Sequence, residues 1–126
     1  MEISSYRDLK VWQSAIELAT RIYALSADFP KSEVYGLTAQ MRRAAVSVAA
    51  NIAEGHGRET TAAFIQFLRI AQGSVKEVET HVIIAQRLDF PSTSDAEAAL
   101  SQCDEIGRMI RGLIRSLQEK QQRSET

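Results

Sequence analysis

The chain has 126 residues, 44% of them hydrophobic and 25% charged, with a formal net charge of -1. That length suits one domain with a real core, and the near-zero charge excludes a polycation that would hold nucleic acid by bulk charge, leaving room only for a local patch. The single cysteine, Cys103, has no partner for an internal disulfide, and no apolar run approaches the ~20 residues of a membrane span. The opening segment MEISSYRDLK carries no apolar secretory stretch, so the expectation is a cytoplasmic protein.

Two prolines and six glycines punctuate four helical patterns, and nothing reads as a strand. The first helix is predicted over about 6–27, with Ser5 as N-cap, Asp8 in the first turn and Phe29-Pro30 as the stop. At about 100° per residue it has two apolar seams. Leu9, Trp12, Ile16, Ala19 and Tyr23 form one, and Val11, Ala15, Leu18, Ile22 and Leu25 the other. Together they span roughly half the circumference, against the ~100° stripe that a single core face requires.

The second helix is predicted over about 34–55, and the glycines of Gly55-His56-Gly57 suit a C-cap. Leu37, Met41, Ala44, Ala45, Val48 and Ile52 make a core face, while Ala39, Val46, Ala49, Ala50 and Ala53 make a second face of small side chains. Small residues let helix axes approach closely, and monomers seldom expose large apolar patches. The extra face on both helices therefore predicts a homo-oligomer rather than a monomer with a wide core.

The third helix is predicted over about 61–88, ending at Asp89-Phe90-Pro91, with Phe64, Phe67, Leu68, Ala71, Val75, Val78, Val82 and Ala85 on one face. Gly73 lies mid-helix, where it costs about 1 kcal/mol relative to Ala, and close helix contact is the expected compensation. The fourth is predicted over about 95–120, opened by the capping-box pattern Ser94-Asp95-Ala96-Glu97, with Leu100, Cys103, Ile106, Ile110, Leu113 and Leu117 inward. The tail QQRSET is expected to fray. Short connections then give one all-α domain over 1–126, an up-down-up-down antiparallel four-helix bundle.

Polar side chains fall in three groups. Gln40, Arg43, Ser47, Asn51 and Glu54 step along helix 2 as a narrow stripe, read as a hydrogen-bond network at a helix seam in preference to a ligand surface. If that stripe is buried, Arg43 and Glu54 need partners, and Glu77 is one candidate. The segment 31–58, with Lys31, Arg42, Arg43 and Arg58 against Glu33 and Glu54, nets +2, while the other three segments each net -1. Arg108, Arg111 and Arg115 form a second basic stripe on helix 4. Such a stripe follows a phosphate backbone, or else lies solvated near a helix C-terminus where cations favour the dipole.

Metal and catalytic chemistry find little support. His56 and His81 are the only histidines; Glu77 and His81 are i, i+4 on one helix, unlike the paired Glu-x-x-His of di-iron bundles. Cys103 reads as a small core residue. The expectation is no metal, no cofactor and no catalytic residue, with His56 and Glu54 the remaining acid–base candidates.

Four blocks carry a resemblance: YRDLKVWQ (6–13), FPKSEVYGLTAQMRRAAVSV (29–48), NIAEGHGR (51–58) and FLRIAQGSVKEVET (67–80). In these the chain resembles the four-helix-bundle family of 23S rRNA intervening-sequence proteins, also called S23 ribosomal proteins. The likeness covers about residues 6 to 90. It implies a small cytosolic bundle assembled as a homopentameric barrel, of largely unassigned role; some members are encoded inside insertions in 23S rRNA genes. A distant similarity extends to the accessory protein of diversity-generating retroelements, a strongly basic pentameric bundle that binds nucleic acid and a reverse transcriptase. Arg42, Arg43 and Arg58 match basic positions of the family motif, and Asn51, Glu54 and Gly55 match its N-I-A-E-G block. Ala49 stands where many members have Pro, which implies a straighter second helix here.

The expected function is therefore non-catalytic nucleic-acid (RNA or DNA) binding by phosphate contacts from a homo-oligomer, with Arg42, Arg43 and Arg58 first and Arg108, Arg111 and Arg115 second. The alternative is a scaffold that holds a protein partner.

Overall fold

In the computed structural model, which describes residues 5–125, Ser5 sets the start: its hydroxyl accepts from the Arg7 amide at 3.2 Å. The turn it caps is not the α-helix predicted from residue 6 but a 3-10 turn, Tyr6–Asp8. Leu9 then runs extended, and α1 proper spans Lys10–Ser26. The break lets Leu9 bury itself while Tyr6 folds back edge-on against Trp12, ring centroids 5.2 Å apart.

A second 3-10 turn, Lys31–Glu33, precedes α2, Leu37–His56. This helix begins later than predicted because its cap comes from behind: the Glu33 Oε1 atom accepts from the Leu37 amide at 3.1 Å. Gly36 leaves room for that carboxylate, since a Cβ there would sit 3.0 Å from Glu33 Oε1. At the other end Gly57 is the C-cap, donating to the Ala53 and Gly55 carbonyls. Gly55 lies inside the helix, buried, and serves packing instead: its Cβ position is 2.6 Å from Phe67 Cβ.

Thr60 caps α3, Thr61–Arg87, by accepting from the Ala63 amide at 3.1 Å. The helix closes in a Schellman arrangement: Asp89 takes φ 58°, its amide reaches the Gln86 carbonyl, and the Phe90 amide reaches Ala85. The fourth helix, α4, spans Thr93–Glu125, starting before the predicted capping box because Ser92 Oγ accepts from the Asp95 amide at 3.2 Å. It extends to Glu125, beyond the predicted end near Lys120; residues 1–4 and 126 lie outside the described part. There is no strand among the described residues.

The four helices close a ring. The pairs α1–α2, α2–α3, α3–α4 and α1–α4 pack together, the diagonal pairs do not, and α2–α3 is the most extensive contact. Leu18 and Ile22, Met41, Val48 and Ile52, Leu68 and Val78, and Cys103, Ile106 and Ile110 are fully buried at the centre. The two Phe-Pro stops meet at one end, Phe29 tilted against Phe90 at 5.4 Å. On α1 the Val11–Leu25 seam is the core; on the other seam Ile16 and Tyr23 are 39% and 47% exposed. The second faces of both helices line one apolar groove, with Trp12, Ile16 and Ala19 opposite Val46, Ala50 and Ala53. Gly73 corrects an expectation: it is exposed and nothing lies within 4 Å of its Cβ position, so no helix contact within the chain compensates it.

Candidate nucleic-acid interface

The polar stripe of α2 divides in the structure. Its middle is a hydrogen-bonded seam against α3: Asn51 Nδ2 donates to the Ser47 carbonyl at 2.8 Å and to Ser47 Oγ at 2.9 Å, and Ser47 Oγ bonds the buried Ser74 Oγ at 2.9 Å. Its ends are exposed. Glu54 pairs with Arg58 at 2.8 Å, one turn on. Gln40 and Arg43 border an open groove with Glu77 and His81, yet Arg43 makes no ion pair with Glu77. His81 Nδ1 is buried there without a hydrogen-bond partner.

The three arginines singled out on α2 and its C-cap have different surroundings. Arg42 ties α2 to the end of α1, with Nε donating to Ser26 Oγ at 2.9 Å, Nη2 to the Tyr23 carbonyl at 3.3 Å, and the guanidinium 4.6 Å above the Tyr23 ring. Arg43 is exposed and makes no ion pair among the described residues. Arg58 is held by Glu54 and lies over the Phe67 ring at 4.9 Å. From residue 43 to residue 56, where α2 ends, the helix axis advances about 20 Å, so Arg58, just past that end, is far from the adjacent pair and the three do not form one patch.

The stripe on α4 is different in kind. Arg108 pairs with Asp104 at 3.2 Å, a surface contact of little worth. Arg111 and Arg115 are exposed and make no ion pair among the described residues. Arg69 of α3 joins them in one groove, together with Gln72, Ile114 and Gln118. Because α4 runs to Glu125, Arg115 lies well before its last turn, and the helix dipole, which acts only over that turn, does not account for these cations. Arg69 was missed because it belongs to another helix, and only the packing of α3 on α4 reveals it.

Cys103 is fully buried, and that burial, reinforced by the Glu79 charge and opposed by Lys76, pushes its thiol up from 9.0 to about 12. The thiolate is therefore scarce at neutral pH, and the residue packs as a core side chain. His56 is half-buried, edge-on to Phe64 at 5.7 Å, with its Glu54 neighbour taken up by Arg58. Among the described residues no three His, Cys, Asp or Glu side chains gather as metal ligands, and no helix is long and apolar enough to cross a membrane.

Comparison with curated proteins finds no match. Among solved structures the chain is similar to a protein of unknown function from the S23 ribosomal protein family of Bacteroides thetaiotaomicron VPI-5482. The TM-score is 0.74 at 24% identity, over 82% of this chain and 97% of that one, a likeness of fold. The family model described as 23S rRNA-intervening sequence protein matches residues 7–112, spanning all of α1, α2 and α3 and much of α4. With that match over most of its length, the chain belongs to the 23S rRNA-intervening sequence protein family.

Proposed function

We propose that this protein is a non-catalytic, cytoplasmic homo-oligomer that binds nucleic acid through phosphate contacts. The observation that carries the binding is that Arg43, Arg111 and Arg115 are exposed and make no ion pair among the described residues, in a chain of net charge -1. Guanidinium groups left without carboxylates are free to take phosphate oxygens as partners, and contacts of that kind position a protein without reading bases.

The helices run up-down-up-down, a reading supported by contacts such as Ser26 with Arg42, Ser47 with Ser74 and Arg21 with Gln102. Subunits join as a ring, a pentameric barrel by family resemblance. A ring needs two different patches that meet head to tail, whereas a two-fold dimer needs one. Apolar side chains exposed on different elements support the ring: the α1–α2 groove, where Val46 is 45% exposed, and the outer side of α3, where Ile70, Ile84 and Leu88 are 47%, 44% and 52% exposed.

Fluorescence anisotropy with labelled structured RNA and duplex DNA across a salt series tests the binding. Affinity that falls steeply with salt is expected; no binding at low salt overturns the reading. A second reading, a scaffold for a protein partner, draws on the same apolar groove. A partner retained from lysate after nuclease treatment, by a protein without nucleic-acid affinity, favours it.

A further inference from the structure

The groove between α3 and α4 is a concentrated source of positive charge. The stretches that meet there, 61–75 and 106–118, contain Arg69, Arg108, Arg111 and Arg115 and no Asp or Glu. The acids beyond this zone on the same seam already have cations, Asp104 pairing with Arg108 and Glu79 with Lys76 at 3.5 Å. Glu119, one turn past Arg115, makes no ion pair with it. Arg69, Arg111 and Arg115 thus make no ion pair among the described residues, around a groove rimmed by the Gln72 and Gln118 amides, with buried Ile114 below. The Arg111 guanidinium lies back along the helix, with Nη1 3.5 Å from the Cβ position of Gly107.

We infer that this groove is a clamp for successive phosphates of a nucleic-acid strand, gripped by Arg69 from α3 and by Arg111 and Arg115 from α4. The inference rests on the nucleic-acid reading above and narrows it to one face. Cations on two helices surround a strand from both sides, and the glutamine amides donate to the remaining phosphate oxygens. From Arg111 to Arg115 the axis of α4 advances about 6 Å, close to two steps of a strand at ~3.4 Å per step. No aromatic ring lines the groove, so base stacking does not contribute and the contact is sequence-independent.

Each duplex phosphate neutralised contributes about -0.9 to the slope of log affinity against log salt, or about fivefold in affinity at 0.15 M salt relative to 1 M. Anisotropy is read for wild type, Arg69→Ala, Arg69→Lys, Arg111→Ala, Arg115→Ala and Arg43→Ala, with labelled duplex RNA and with tripolyphosphate as competitor. All four positions are exposed, and gel filtration and circular dichroism confirm that the variants fold. Arg69→Ala, Arg111→Ala and Arg115→Ala are each expected to lose at least about fivefold in affinity and to make the slope about one contact shallower. Arg69→Lys keeps most of the slope. Binding that survives in Arg69→Ala but fails in Arg43→Ala overturns the clamp while leaving the nucleic-acid reading intact. No salt-dependent binding by wild type overturns both. Tripolyphosphate bound through Arg69 as tightly as RNA assigns the groove to small free phosphates and overturns the strand.

Discussion

Gly55 and Gly73 are both interior helix glycines, and the structure predicts opposite signs for the same substitution. An alanine Cβ at 55 would lie 2.6 Å from Phe67 Cβ, 3.1 Å from Phe64 Cδ1 and 3.3 Å from the Phe64 carbonyl oxygen. Ordinary carbon contacts sit at ~3.5–4.0 Å, so α2 and α3 must part locally by about 1 Å. Neither Phe67 Cβ nor a carbonyl oxygen moves without its backbone, and α2–α3 is the most extensive contact in the bundle. That places the overpacking cost near the top of the usual range, about 3 kcal/mol, offset by about 1 kcal/mol of helix propensity. Gly55→Ala should therefore destabilise by about 2 kcal/mol, a fall in Tm of roughly 8 °C for a chain of this size. At Gly73 nothing lies within 4 Å, so Gly73→Ala should stabilise by about 1 kcal/mol. Thermal unfolding followed by far-UV circular dichroism, at one protein concentration for all variants, reads both. A Gly55→Ala protein as stable as wild type would refute the close approach of α2 and α3. A loss of stability at Gly73 would mean that another subunit closes over that face.

Arg42→Ala should cost about 1–2 kcal/mol in urea unfolding, because Ser26 Oγ, the Tyr23 carbonyl and the Tyr23 ring lose their guanidinium; its nucleic-acid affinity should stay within about twofold of wild type, unlike a lost phosphate contact, which costs about fivefold. Ser47→Ala should cost about 1–2 kcal/mol by leaving the buried Ser74 hydroxyl without its partner. Adding Ser74→Ala should recover part of that loss, and strictly additive costs would count against the bond. Burial raises the Cys103 thiol to about 12 in the folded chain, from 9.0. The folded state therefore holds its proton longer, and the thiol's contribution to stability is full below pH 9 and lost as pH rises toward 12. Cys103→Ala should remove that alkaline component from unfolding curves, and alkylation of wild type at neutral pH should be slow until denaturant opens the bundle.

The fold was legible because its signal is local. Each helix announces an apolar period, and each break contains Pro or Gly, so the four elements and most core positions follow from 3.6-residue spacing. The starts were less legible where the cap is not the nearest Ser or Thr. Glu33 reaches forward to cap α2, and Ser92 caps α4 ahead of the more conspicuous Ser94-to-Glu97 pattern. Glycine roles were not legible either, since only tertiary packing separates Gly55, wedged against Phe67, from Gly73, open on the surface. The basic groove was half visible. Counted by segment, 59–90 and 91–126 each net -1, which hides the acid-free stretches that α3 and α4 bring face to face. Periodicity could find Arg111 and Arg115 on one helix, but Arg69 joins them only through the register between two helices.

The ring proposal makes a mixing prediction that a dimer does not share. In a head-to-tail ring the α1–α2 groove of one subunit meets a different patch, here the outer side of α3, on the next. Val46→Glu places a charge in the first patch and Ile84→Glu in the second, at residues 45% and 44% exposed, so neither should unfold the chain. Each variant alone lacks one half of every junction and should elute, with light scattering, as a single 14.0 kDa chain. Mixed, the intact α3 face of Val46→Glu can receive the intact groove of Ile84→Glu, and exactly one such junction can form before both remaining faces are charged. The mixture should therefore stop at twice 14.0 kDa and never close. In a two-fold dimer joined groove to groove, Ile84→Glu would assemble like wild type and the mixture would contain nothing new. Wild type at 14.0 kDa would end the oligomer proposal outright, and the apolar groove would then need a different occupant.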